Sequence, residues 1–243
     1  MNLIRWLVWM LLPVSQHLMA DAQLQDRMIL YLRGDIRNAE PDIVTVNGVY
    51  DLNTQWGTLE TALRAGTYTN QPGLWSYKIE GITPEFWGNH RLALRVVKNN
   101  DYPSTGSVQD TRVAQRVMGA YQPFASLDAL SSLSVHLDAG VAENFTGAHG
   151  ATLLPNGQGA LNILPIWAVK LGWPSVVPDR KYVLSWSNFD IFDPYPASQP
   201  FLQFEVQQEV EKVMYYGYVR YRWDYTVDQF YALYLTLGLE LPN

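Results

Sequence analysis

The last thirty residues constrain the chain more than any other stretch. "VMYYGYVRYRWDY", residues 213–225, and "QFYALYLTLGLEL", residues 229–241, both alternate, and every odd position from Leu233 to Leu241 is leucine. A period of two sends successive side chains to opposite faces of a strand. Two such runs separated by Thr226, Val227 and Asp228 read as a β-hairpin. With Tyr225 opposite Gln229, Trp223 meets Tyr231, Tyr221 meets Leu233, Val219 meets Leu235, Gly217 meets Leu237 and Tyr215 meets Leu239. That row is apolar or aromatic throughout, and a slip of one residue destroys the match. The other face pairs Arg222 with Ala232, Arg220 with Tyr234, Tyr218 with Thr236 and Tyr216 with Gly238.

The leucine row is read as one face of a buried core. Tyr216, Tyr218, Arg220, Arg222 and Tyr234 then point outward, either solvated or as a contact surface, since Tyr and Arg are enriched in interfaces. A third arrangement makes the hairpin part of an outer-membrane barrel, leucines toward lipid and arginines toward the lumen. Against it stand the scarcity of other ten-residue alternating segments, helix-like patterns mid-chain, and the ending "LELPN" without a terminal aromatic.

The N-terminus, "MNLIRWLVWMLLPVSQHLMADAQ", supports two incompatible expectations. Arg5, a short apolar run and Ala20-Asp21-Ala22 have the layout of an export signal cleaved after residue 22. Alternatively Trp6 to Leu12 is retained, docks Trp6 and Trp9 against a neighbour, and precedes a helix from about Ser15 to Leu32 that Gly34 stops. The apolar run is too short for a membrane-spanning helix, which takes roughly 20 residues.

The body reads as short strands with a few helices. Asn47-Gly48 signals a hairpin, Thr58–Ala65 a short helix, Asp110–Tyr121 the clearest mid-chain helix and Leu127–Leu133 another. Strands are expected near 74–80, 91–98, at "SVHLDAGV", on either side of Pro165, and at "KYVLSWSNFDIF". "DPYPASQP", residues 193–200, reads as a stiff connector. The expected fold is therefore α+β and β-rich: a mostly antiparallel sheet, a few short helices and a long C-terminal hairpin at about 213–241. Residues 1–33 would form the hydrophobic segment and helix, and residues 34–243 one β-rich domain.

No reaction is declared. The chain lacks Cys, which excludes disulfides and thiolate chemistry, and its net charge of −6 offers no broad basic face for nucleic acid. Among 17 basic residues 12 are Arg, a balance that suits planar, stacked contacts. His136, Asp138 and His149 are the one short-range set with metal-ligand chemistry, with His136 and Asp138 on one side of a strand. The acidic pairs Asp190/Asp193 and Glu209/Glu211 are too close in sequence to face each other across a glycosidase cleft. Trp56, Trp75, Trp87, Trp173 and Trp186 have the chemistry to stack on sugar rings, or to serve as core.

These features favour a non-enzymatic structural or assembly protein of a large particle, such as a virion, with no cofactor. Its partners would be other protein subunits, with membrane contact only through residues 1–12. The alternatives are an exported bacterial envelope or glycan-binding protein, periplasmic or extracellular after cleavage, and a metal-assisted hydrolase.

Overall fold

Alternation of the kind seen in residues 213–241 recurs in other strands of the described chain, as in Ile43–Thr54 and in the first half of Ile163–Pro174. A computed structural model describes residues 26–37, 42–68, 71–101, 108–123, 132–146, 163–193, 195 and 197–242. The strands are β1 Arg27–Arg37, β2 Ile43–Thr54, β3 Gly57–Tyr68, β4 Gln71–Ile82, β5 His90–Asp101 and β6 Val108–Tyr121. They continue as β7 Ser134–Thr146, β8 Ile163–Pro174, β9 Arg180–Ser187, β10 Phe201–Val210, β11 Val213–Asp224 and β12 Gln229–Pro242. Each pairs antiparallel with its neighbours in sequence, and β1 pairs with β12, Leu30 opposite Leu239, to close a barrel. Closure removes the free sheet edges that would otherwise need covering. Twelve residues at about 3.3 Å each span about 40 Å along a strand, enough to cross an apolar band about 25 Å tall at a tilt near 40°.

The barrel is apolar outside and polar within. In β2 the buried row is Ile43, Thr45, Asn47, Val49 and Asp51, while Val44, Val46, Tyr50 and Leu52 are exposed. In β12 Ala232, Tyr234 and Thr236 are buried, whereas Leu235 is 57% and Leu237 63% exposed. Many of the charged groups in the interior are paired, as burial favours. Glu80 accepts from Arg95 at 3.0 Å and Arg116 at 2.8 Å, and Lys78 pairs with both Glu80 and Glu60.

The expected α+β fold gives way to this all-β barrel; among the described residues there is no helix. Thr58–Ala65 lies in β3 and Asp110–Tyr121 in β6, where Val113 and Val117 share the outer row with Gln115. Asn47-Gly48 sits in the middle of β2 rather than at a turn, and β8 runs unbroken through Pro165. Residues 27–32 of the expected N-terminal helix belong to β1. Residues 1–25, Asn156-Gly157 and most of Leu127–Leu133 lie outside the described residues.

The hairpin register holds from Met214↔Glu240 to Arg222↔Ala232 and shifts at a bulge between Arg222 and Trp223, so that Trp223 meets Phe230. Its facing is reversed: the leucine row is outside, and the Tyr/Arg row is inside.

Turns at the end carrying the start of β1 and the finish of β12, the terminal end, are tight where glycine or positive φ allows. Gly57 has φ +123°, and a Cβ there would stand 2.0 Å from the Ile82 carbonyl oxygen. Glu211 and Lys212, both at positive φ, turn β10 into β11.

Candidate functional site in the barrel lumen

β9 is the shortest strand, and the chain leaves the wall where it ends. The Asn188 N–H donates to the Trp167 carbonyl at 3.1 Å, its side-chain oxygen accepts from the Trp167 N–H at 2.7 Å, and its Nδ2 donates to the Pro165 carbonyl at 2.8 Å. One asparagine thus continues the ladder along the part of β8 that β9 no longer covers. From there the β9–β10 connection turns into the lumen from the far end, opposite the terminal end.

Its two phenylalanines wedge against opposite walls. Phe192 packs on Tyr31, Val49, Ala62 and Val97 of β1, β2, β3 and β5; Phe189 packs on Ala114, Ala142, Ile166 and Ala168 of β6, β7 and β8. Alanines at these lumen positions leave room for the rings. The gap left between segment and wall is about 10 Å³, too small for more than one water. Arginine planes lie over the same rings, Arg64 at 4.7 Å from Phe192 and Arg116 at 5.3 Å from Phe189.

Two carboxylates latch the segment to the wall. Asp190 Oδ2 accepts from Arg220 at 2.8 Å and Arg33 at 3.0 Å, while its Oδ1 accepts from the backbone N–H groups of Phe192 and Asp193 at 2.9 and 3.0 Å. Asp193 accepts from Arg64 at 2.8 Å and Arg112 at 2.9 Å. Arg95 donates to the backbone carbonyls of Asp190 and Ile191 at 2.6 and 3.0 Å. Burial alone would raise the pKa of Asp190, but Arg220, Arg33 and Arg64 outweigh it and hold the carboxyl far below its usual range. Burial also works to raise Asp193, and Arg64 and Arg112 overcome it. The Tyr195 hydroxyl is pushed well above its ordinary value, first by burial and then by Asp190.

Beneath the segment, toward the terminal end, lies a cavity of about 790 Å³. Phe189, Asp190 and Ile191 form its roof, and its walls come from strands all around the barrel. Among its charged groups are Arg95, Arg116 and Asp138, and also His136, Lys170 and Lys181 on the β7–β9 wall.

The residues singled out in the sequence fall into three places. Tyr216, Tyr218, Arg220, Arg222 and Tyr234 face the lumen: Arg220 holds Asp190, and Arg222 is stacked between Tyr195 at 4.1 Å and Tyr231 at 3.8 Å. His136 and Asp138 line the cavity on one face of β7, with Asp138 bound by Arg116 at 3.0 Å. Trp6, Trp9 and His149 lie outside the described residues. No group of three or more metal-ligating side chains comes together among the described residues. Trp75, Trp173 and Trp186 sit on the outer face, and Trp56 and Trp87 in terminal-end turns. Asp190 and Asp193, set aside as a catalytic pair, are instead the latch; Arg33, Arg64 and Arg112, their partners, carried no signal beyond alternating with apolar neighbours.

No protein-family model matches the sequence, and no curated protein is recognisably similar to it. Solved structures are similar in fold. An outer-membrane channel from Pseudomonas putida F1 superposes with a TM-score of 0.55 at 9% identity, covering 95% of this chain and 98% of that one. The NanC porin gives 0.53 at 12% identity, with 87% and 98% covered. The KdgM porin, solved in complex with disordered oligogalacturonate, gives 0.52 at 7% identity, with 88% and 98% covered. The fold is thus a porin-like barrel. This overturns the expectation of a structural component of a virion or similar particle, and with it the placement of the chain in such an assembly.

Proposed function

We propose that the chain is an outer-membrane channel for small polar solutes, with its lumen narrowed by the inserted β9–β10 segment. The observation that carries this is the inverted burial: a closed barrel whose outer face is a belt of large apolar side chains and whose interior holds the charges. Such a wall is stable only where hydrocarbon meets its exterior and water or protein its interior. The similar barrels include two porins and a channel, which supports the reading, as does the envelope alternative drawn from the N-terminal sequence. The two longest connections, β7–β8 with 16 residues and β9–β10 with 13, are both at the far end. Apart from the 12-residue β6–β7 connection the terminal-end turns have seven residues or fewer, the sense of outer-membrane barrels with long external loops and short periplasmic turns. The inserted segment then descends from outside, and the cavity opens toward the periplasm.

Refolded protein in a planar lipid bilayer tests this. Stepwise ion currents are expected, larger when the latch is weakened by Asp190→Asn with Asp193→Asn. Absence of current from both the parent and the folded double variant would refute a channel.

A further inference from the structure

The arginines of the cavity wall are held by acidic partners, whereas three basic groups are not. Arg33 and Arg220 bind Asp190, Arg95 and Arg116 bind Glu80, and Arg27 binds Asp51. His136, Lys170 and Lys181 line the same cavity, yet among the described residues none of them donates a hydrogen bond or forms an ion pair within 4 Å. We infer that this wall of β7, β8 and β9 is an oxyanion-binding site, taking a solute that carries a carboxylate or phosphate group. The inference rests on the channel reading for the solute's route and deepens it by naming a class of solute.

Geometry gathers the three. His136 and Lys170 are directly opposed in the β7–β8 register, which sets their Cβ atoms about 5 Å apart on the lumen face. Two residues along the same face, Gly172 leaves open the space that Lys181 crosses: a Cβ there would be 2.8 Å from Lys181 Cε and 3.3 Å from its Nζ. The Ser134 hydroxyl borders the same space, 2.6 Å from that position. Two lysines and a histidine therefore share one patch of the lumen wall beside open volume, bordered by Ser134, whose hydroxyl donates to the Gly172 carbonyl at 3.2 Å.

The carboxylates nearby do not use up this charge. Asp138 is bound by Arg116 at 3.0 Å, and Glu205 accepts from the side-chain amides of Gln203 at 3.0 Å and Gln207 at 2.7 Å. Both reach Lys170 only through the field, while His136 feels Lys170 and Lys181 together. Glu205 offsets part of one lysine, and the second lysine remains in excess. Like charges crowded together without acceptors repel one another, and a bound oxyanion relieves that repulsion while accepting from several donors at once. The patch lies on the terminal-end side of the inserted segment, so it is reached from the periplasm whether or not that segment moves.

Calorimetric titration of the folded protein in a zwitterionic detergent, at low salt, tests the site without requiring conduction. The probes are inorganic phosphate and malonate, each against parent, Lys170→Gln/Lys181→Gln and Lys170→Arg/Lys181→Arg. Parent and arginine variant are expected to bind at least one probe, with affinity falling by about tenfold or more in the glutamine variant. Phosphate alone, malonate alone or both binding in this way supports the site and says which oxyanion it takes. Neither probe binding the parent, or the glutamine variant binding as the parent does, overturns it. Binding without any bilayer current would leave the site standing and reject the channel, and current without binding would do the reverse.

Discussion

Replacing Asp190 by asparagine removes the one carboxylate that Arg33 and Arg220 share at the roof of the cavity. The side chain is 5% exposed, and no strand ladder runs through it, so the loss falls on the seating of the inserted segment rather than on the barrel. Breaking a buried ion pair from one side costs about 3–5 kcal/mol, because the partner charges stay behind. Asparagine keeps an oxygen for the Phe192 and Asp193 N–H groups, which retains part of that, so a net loss of about 2–3 kcal/mol is reasonable. At 1.4 kcal/mol per tenfold, the ratio of displaced to seated segment rises by about 30- to 150-fold. Single-channel recording in planar bilayers reads this as a rise in the occupancy of high-conductance states, with the migration of the folded barrel on unheated gels unchanged. A folded Asp190→Asn protein with the parent's conductance and occupancy would show that the latch does not hold the segment in place.

Leu235→Arg, on the outer row opposite Gly34 and Val219, is expected to cost about 2–4 kcal/mol in reversible unfolding from lipid vesicles. Trp87→Arg, in a terminal-end turn and 89% exposed, should cost no more than about 1 kcal/mol. Asn188→Ala strands the Trp167 N–H and the Pro165 carbonyl and should lower stability by about 1–3 kcal/mol, read from the thermal midpoint. Because Asp190 and Asp193 titrate below the ordinary carboxylate value of about 3.9, their contribution is complete above that pH and is lost only as pH falls through the lowered values. Conductance should therefore be level between pH 7 and pH 4 and rise only in stronger acid; a rise centred near pH 5 would contradict the latch.

The register of the last hairpin was legible because alternation and a short turn leave few pairings, and it holds over nine residue pairs. Its facing was not, since a row of leucines on a strand reads the same against a protein core as against lipid. What separates the two is the opposite row. In a soluble sheet it meets water, whereas here it meets other strands' charges, and Arg220 finds Asp190 thirty residues away. The false helix at Asp110–Tyr121 has a similar origin. Val113 and Val117 are spaced as on a helix face, and the outward Gln115 between them masks a period of two whose inner row is Arg112, Ala114, Arg116 and Met118. The inserted segment was the least legible part. "FDIFDPYP" carries two aspartates and two phenylalanines whose partners lie on eight different strands, as far back as Tyr31 and Arg33 of β1. Only the closed barrel brings them to one level.

The central claim is that one face of each strand meets lipid and the other the lumen. The chain has no cysteine, so single nitroxide labels are introduced cleanly through Leu235→Cys, Leu237→Cys, Lys170→Cys and Lys181→Cys in vesicle-reconstituted protein. Labels at 235 and 237 should relax strongly with dissolved oxygen and weakly with a water-soluble nickel chelate, and labels at 170 and 181 should do the opposite. Chelate access at 235 and 237 equal to that at 170 and 181 would contradict the barrel's placement in a membrane.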